Sequence, residues 1–282
     1  MRRAIAADWE RQHGRAIDPE REVSVTSGAT EAIHDAIQAF VNPGDEIVVF
    51  EPFYDSYLPC AIMAGATLRP ITLQPPDWDF DRDEAAAAFG PRTRLLLLNT
   101  PHNPTGKVFD EAELLVLAEL CERWDVIAIC DEVYDRIIFD RAVHVPLATL
   151  PGMWERTLAV NSTGKTFSMT GWKIGYYGQL NMDYVHRRDL LVQALAGAGL
   201  QALPVEGSYF LMADIGHLGF PDDVAFCRWL TTEIGVAAVP PSAFYLDPAR
   251  ARMLARFCFA KREETICKAA ERLSRIPELV GH

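Results

Sequence analysis

The sequence predicts an α/β protein in which a mostly parallel, doubly wound sheet is followed by a smaller α+β unit. Three observations carry this. Short apolar runs alternate with helix-like stretches from Glu46 to Val160, the pattern of βαβ units. Arg94-Leu95-Leu96-Leu97-Leu98 is almost unbroken in its apolar character, as a strand covered on both faces must be. Beyond about residue 180 the order becomes irregular, with strands and helices no longer taking turns. The expected division is a large domain over residues 1–180 and a small domain over 181–282. With 282 residues and 49% hydrophobic content, the chain can bury the core this needs.

Residues 1–14 read as a helix ended by Gly14, and Glu22–Thr26 alternates like a strand. Ser27-Gly28-Ala29-Thr30 then turns the chain into a helix carrying Ile33, Ala36, Ile37 and Phe40 on one face. Its N-terminus offers free N–H groups and partial positive charge, an arrangement that suits an anion. Glu46–Phe50 is a strand, followed by Phe53, Tyr54 and Tyr57 on an expected helix. A strand at Thr67–Leu73 and an alanine helix at Asp83–Phe89 precede the leucine run. That run ends in Asn99-Thr100-Pro101-His102-Asn103-Pro104-Thr105-Gly106, whose two prolines impose a shaped loop. Helix 110–124 has Glu111 and Glu113 in its first turn, and strand Val126–Cys130 delivers Asp131-Glu132-Val133-Tyr134. Acidic groups at such strand ends either cap the next loop or serve a site.

Thr157–Val160 is a strand that leads into Asn161–Lys173, where Lys165 and Lys173 stand among hydroxyls and glycines, and Ile174–Tyr177 is a further strand. A desolvated lysine amine becomes a nucleophile towards carbonyls; the same residues also fit a solvated loop. Residues 183–199 form a basic amphipathic helix, 207–213 a strand, 222–234 a helix, 236–239 and 254–260 strands, and 262–273 a final helix.

A net charge of −12 and a pI near 5.0 argue against nucleic acid or an anionic membrane as partner. The six cysteines have no C-x-x-C spacing and read as reduced thiols rather than metal ligands or disulfides. No apolar run has the length of a membrane span, and Met-Arg-Arg has no apolar stretch behind it, so a soluble cytoplasmic protein is expected.

Six segments in order resemble one family: Glu51–Tyr57, Asn99–Lys107, Asp131–Tyr134, Pro151–Thr157, Gly164–Lys173 and Arg256–Lys261. The chain is similar to the fold-type-I, pyridoxal-phosphate-dependent aminotransferases of class I/II, in the branch of kynurenine–oxoglutarate, glutamine–phenylpyruvate and methionine aminotransferases. The resemblance implies that Lys165 carries the cofactor aldehyde on its amine and then moves the substrate α-proton. It implies Asp131 against the pyridine nitrogen, Tyr134 and Asn103 on the ring 3′-oxygen, and Tyr54 stacked on the ring. The amides of Ala29 and Thr30, with Ser162 and Lys173, would hold the phosphate. Arg256 would clamp the α-carboxylate of an amino acid or 2-oxo acid, a task that suits a planar guanidinium. A ping-pong amino-group exchange and a homodimer are implied with these roles.

The sequence departs from that family twice. Members normally carry several dozen residues before the point matching Met1. They also run from the equivalent of Tyr176-Tyr177-Gly178 through a helix, a loop and a long interdomain helix to Arg187–Leu191, where this chain has only Gln179–His186. The expectation is therefore an intact cofactor site in a chain lacking an N-terminal segment and an internal block. A cysteine-conjugate β-lyase sharing the site and a cofactor-binding homologue without turnover are the alternatives.

Overall fold

The structure, a computed structural model, describes residues 1–166, 181–251 and 253–280. In chain order its helices and strands are α1 Arg2–His13, α2 Ala29–Phe40, β1 Glu46–Glu51, α3 Tyr57–Met63, β2 Thr67–Thr72, α4 Arg82–Ala88, β3 Thr93–Asn99, α5 Glu111–Trp124, β4 Ile127–Asp131, β5 Thr157–Val160 and α6 Thr163–Thr166. Then follow α7 Asn181–Gly197, β6 Gln201–Ala202, β7 Phe210–Asp214, α8 Asp223–Trp229, β8 Leu254–Cys258, α9 Glu263–Leu273 and α10 Ile276–Val280.

Strands β1 to β5 form one parallel sheet in the order β2-β1-β3-β4-β5. Side-chain alternation divides its two faces. Ile47, Val49, Leu95, Leu97 and Ile129 pack with residues of α2 and α3, while Val48, Phe50, Leu96, Leu98, Ala128 and Cys130 meet α4 and α5. Covering both faces explains why β1 is buried along its whole length and why the leucine run has no polar alternate. The strand order reverses between β1 and β3, and ligands of open α/β sheets bind where the carboxyl ends diverge at such a point.

The second sheet, β6-β7-β8, is antiparallel. Its strands share a separate core with α7, α8 and α9, built on Leu195, Leu211, Phe226, Phe257 and Ile266. The helix ends follow the sequence: Gly14 closes α1 with φ 70°, and Asp110 with Glu113 makes a reciprocal capping box at α5.

Two expected strands do not form. Glu22–Thr26 is irregular and joins no ladder among the described residues, and Val236–Val239 contributes one isolated bridge, Val239 to Arg256. Alternation favours an extended chain but cannot supply the partner whose N–H and C=O groups make it a strand. The expected strand Ile174–Tyr177 lies outside the described residues.

Candidate active site

Because β1, β3, β4 and β5 are parallel, the loops after them open on one edge of the sheet. Asn99 is level with Asp131, and Asp131 with Val160, on the last rungs of the ladder. The loops therefore bring Tyr54, Asn103, Tyr134 and Lys165 to that edge, and the start of α2 stands beside them through Thr30, whose side chain bonds Tyr54.

Asp131 is buried and its Oδ2 accepts a 2.6 Å hydrogen bond from the Tyr57 hydroxyl, while its Oδ1 receives the Val133 N–H. Burial pushes its carboxyl up to about 6, against the opposing pull of Tyr57, Val133 and the nearby Lys165 charge. Tyr57 stands edge-on to Tyr54, with ring centroids 5.7 Å apart. Asn99 binds the strand ends together: its Nδ2 donates to Asp131 O at 2.8 Å and its Oδ1 accepts from Asn103 N at 2.7 Å.

The small sheet supplies the opposite wall. Arg256 donates from Nη1 to Asn103 Oδ1 at 2.9 Å, and its guanidinium lies between the rings of Phe210 and Phe244, 4.2 and 4.6 Å from their centroids. Phe244 is held to the large sheet by its carbonyl, which accepts from Phe53 N at 2.8 Å. Lys165 donates from Nζ to the Tyr209 hydroxyl at 2.8 Å and lies 5.8 Å from the Tyr134 ring centroid. Burial pushes the Tyr134 phenol well up, as does the approach of Tyr209.

At α2, Gly28 is the N-cap with φ 84°, and no side chain caps the helix. Glu31 turns back to the Ser27 amide instead. Ser162 Oγ accepts from Gly164 N at 3.1 Å at the start of α6. Lys173 lies outside the described residues. The other predicted site residues lie at this edge or, for Arg256, on the wall facing it, whereas Tyr57, Asn99, Tyr209, Phe210 and Phe244 had no role in the sequence reading. The acidic niche of Asp77, Asp79, Asp110, Glu113 and Glu206 offers no rival centre, because Lys107 sits in it paired with Asp79 and Glu113.

A parallel switch-point sheet, a lysine after its fifth strand and an arginine reaching over from a second sheet define a class, and comparison with known families agrees. The chain belongs to aminotransferase class I and II, whose family model matches residues 1–179 and 178–273. It has the fold-type-I architecture and is a pyridoxal-phosphate-dependent aminotransferase. Among solved structures, a methionine aminotransferase from Escherichia coli superposes with a TM-score of 0.91 at 39% identity, over 97% of this chain and 82% of that one. N-succinyldiaminopimelate aminotransferase from Mycobacterium tuberculosis does so with a TM-score of 0.91 at 40% identity, over 98% and 83%. Kynurenine–oxoglutarate transaminase 3 of Mus musculus is 34% identical, over 95% of this chain and 74% of its own length.

The expected internal block is also borne out. The two family matches meet at residues 178–179, and the alignment with the Escherichia coli protein runs over 316 positions although this chain has 282 residues. The relatives carry residues inside the chain that have no counterpart here.

The site fits pyridoxal phosphate on its own chemistry. Asp131 is a buried carboxylate without an adjacent cation strong enough to restore its usual acidity, which is what a protonated pyridine nitrogen would provide. The N-terminus of α2, where the N-cap Gly28 offers no side chain, suits a phosphate.

One consequence can be measured without cofactor. The Asp131 carboxyl is raised in the folded state, so its stabilising effect is full below its ordinary value of 3.8 and is lost as pH rises through about 6. At pH 7.5 Asp131→Asn should therefore be more stable than the native protein by about 2–3 kcal/mol, with the gap closing at acid pH. Asp135, also raised to about 6, contributes equally to both proteins and cancels. Urea unfolding at the two pH values checks this, and a variant less stable at pH 7.5 would contradict it.

Proposed function

We propose that this chain exchanges an amino group between an amino acid and a 2-oxo acid by a ping-pong reaction, with an aromatic amino acid, methionine, glutamine or kynurenine as donor. The observation that carries the reading is the meeting of Lys165 and Arg256 on the Tyr209–Phe210 wall, with Asp131 beneath the same edge. When bound, pyridoxal phosphate supplies an electron sink for the carbanion left at the substrate Cα. Lys165 would hold the cofactor aldehyde on its amine and would take the substrate α-proton. Asp131 keeps the ring nitrogen protonated, and Tyr57 holds the carboxylate in place. Tyr134 and Asn103 bond the ring 3′-oxygen. With its oxygen engaged by Arg256, the Asn103 amide has its NH2 end to donate. Tyr54 stacks on the ring. The amides of Ala29 and Thr30, with Ser162 and Lys173, hold the phosphate. Arg256 receives the substrate carboxylate.

The names of the relatives span methionine, kynurenine and N-succinyldiaminopimelate, which supports donors with extended side chains and leaves the choice to experiment. Large and small domains divided near residue 180 are part of this reading. So is a homodimer, which sedimentation reads directly, and so is a cytoplasmic location, consistent with the four buried free thiols of Cys60, Cys121, Cys130 and Cys227.

The test is to add pyridoxal phosphate, reduce with borohydride and map the adduct by mass spectrometry. Lys165 is the expected site, and a folded protein with no adduct there defeats the reading. Absorbance changes with methionine, glutamine, phenylalanine and kynurenine then rank the donors. An adduct without any such change favours a binder over an enzyme.

A further inference from the structure

Tyr209 is held to the Lys165 amine by an unusually constrained piece of backbone. Gly207 has no room for a side chain, since a Cβ there would stand 2.7 Å from Pro101 Cβ and 2.9 Å from Ile137 O. Its N–H donates to Gly106 O at 2.8 Å. Ser208 follows in the left-handed region with φ 63°, fully buried, its N–H on Ile137 O at 2.9 Å. Tyr209 O in turn accepts from Phe259 N at 3.1 Å. A non-glycine residue at positive φ is uncommon and persists only where its surroundings over-determine it.

The effect of these restraints is to swing Tyr209 out of the strand pattern towards the large sheet. Its ring meets Phe210 at 4.7 Å, Tyr134 at 5.3 Å and Tyr184 at 6.1 Å between centroids. Its hydroxyl bonds both Lys165 Nζ and the Tyr134 phenol. Among the described residues, the other ionisable groups facing this pair are Asp131 and Tyr54 towards Lys165, and Arg256 towards Tyr209.

We propose that Tyr209 is the positioning residue for Lys165, its hydroxyl oxygen accepting from the amine and fixing where the reactive nitrogen stands. This rests on the reading of Lys165 as the cofactor lysine. A lysine has a flexible four-carbon stem, and its Nζ must meet a carbonyl carbon and later a substrate proton in defined geometry. An oriented acceptor on Nζ removes that freedom. Tyr134 is occupied at the cofactor 3′-oxygen in the proposed reaction, so the two phenols divide the work: one serves the ring, the other the lysine.

The test follows capture of pyridoxal phosphate by Lys165 in the full chain, by absorbance with borohydride mapping. In Tyr209→Phe the adduct should still map to Lys165, and its rate constant of formation should fall about tenfold, because the amine has lost the acceptor that aims it. A purely structural role would lower the melting temperature and leave the capture rate of the folded protein unmoved. A folded Phe variant with the native capture rate overturns the role of Tyr209. Absence of a Lys165 adduct in the native protein overturns instead the reading on which it rests. Should the Phe variant not fold, Tyr209→Leu also removes the hydroxyl; it should slow capture likewise, and a native rate overturns the role.

Discussion

Replacing Lys165 with alanine is expected to slow the amino-acid half-reaction by about 10²–10⁴-fold from the lost proton transfer alone. The reason is that no neighbour among the described residues can take over. Asp131 already accepts from Tyr57 and Val133 N–H. The Tyr134 phenol is pushed up by burial and so stays protonated at neutral pH, and Arg256 carries no free base. The substitution should leave the fold intact, because Lys165 is only half-buried in α6, with Tyr209 as its hydrogen-bond acceptor. Rapid-mixing absorbance on protein saturated with pyridoxal phosphate reads the rate. A small primary amine added to the buffer should restore part of it, since the missing function is a base of that chemistry. A Lys165→Ala protein that turns over at the native rate would sink the assignment.

How much of this was legible in the sequence follows from the range of each interaction. The β–α alternation, the apolar leucine strand and the acidic first turn of α5 are written within a few residues, and all appear in the structure. The strand-end residues Asn103, Asp131 and Lys165 were legible because motifs surround them. Tyr57 and Tyr209 were not, although Tyr57 stands inside one of those motifs. Their roles are set by partners 74 and 44 residues away, and no local pattern announces such a pairing. The same argument explains the two failed strands. Glu22–Thr26 and Val236–Val239 have the local character of strands, and what they lack is a neighbour. Ser208 shows the converse: serine has no preference for positive φ, and its conformation comes from the loops at Gly106 and Ile137 that grip the chain around it.

The second large effect is expected at Arg256. Arg256→Lys should raise KM for the amino acid about 10–100-fold, the loss of charge-assisted hydrogen bonds, with a smaller change in kcat. Two features of the wall make lysine a poor substitute. The guanidinium is a plane between two rings, at 4.2 Å from Phe210 and 4.6 Å from Phe244, and an ammonium has no plane to stack. It also spends one N–H on Asn103 Oδ1 while keeping other donors for a carboxylate, whereas an ammonium cannot present a fork of two parallel bonds. A carboxylate contact made equally in the ground and transition states changes KM without kcat. The Asn103 tie predicts the residual kcat effect, because freeing that amide disturbs the group proposed to bond the ring oxygen. A double-mutant cycle of Arg256→Lys with Asn103→Ala separates the two: the kcat losses should be less than additive, since either change alone breaks the shared bond, while the KM loss should follow Arg256. Native KM in Arg256→Lys would remove Arg256 as the carboxylate clamp, and additive kcat losses would show that its bond to Asn103 has no part in catalysis.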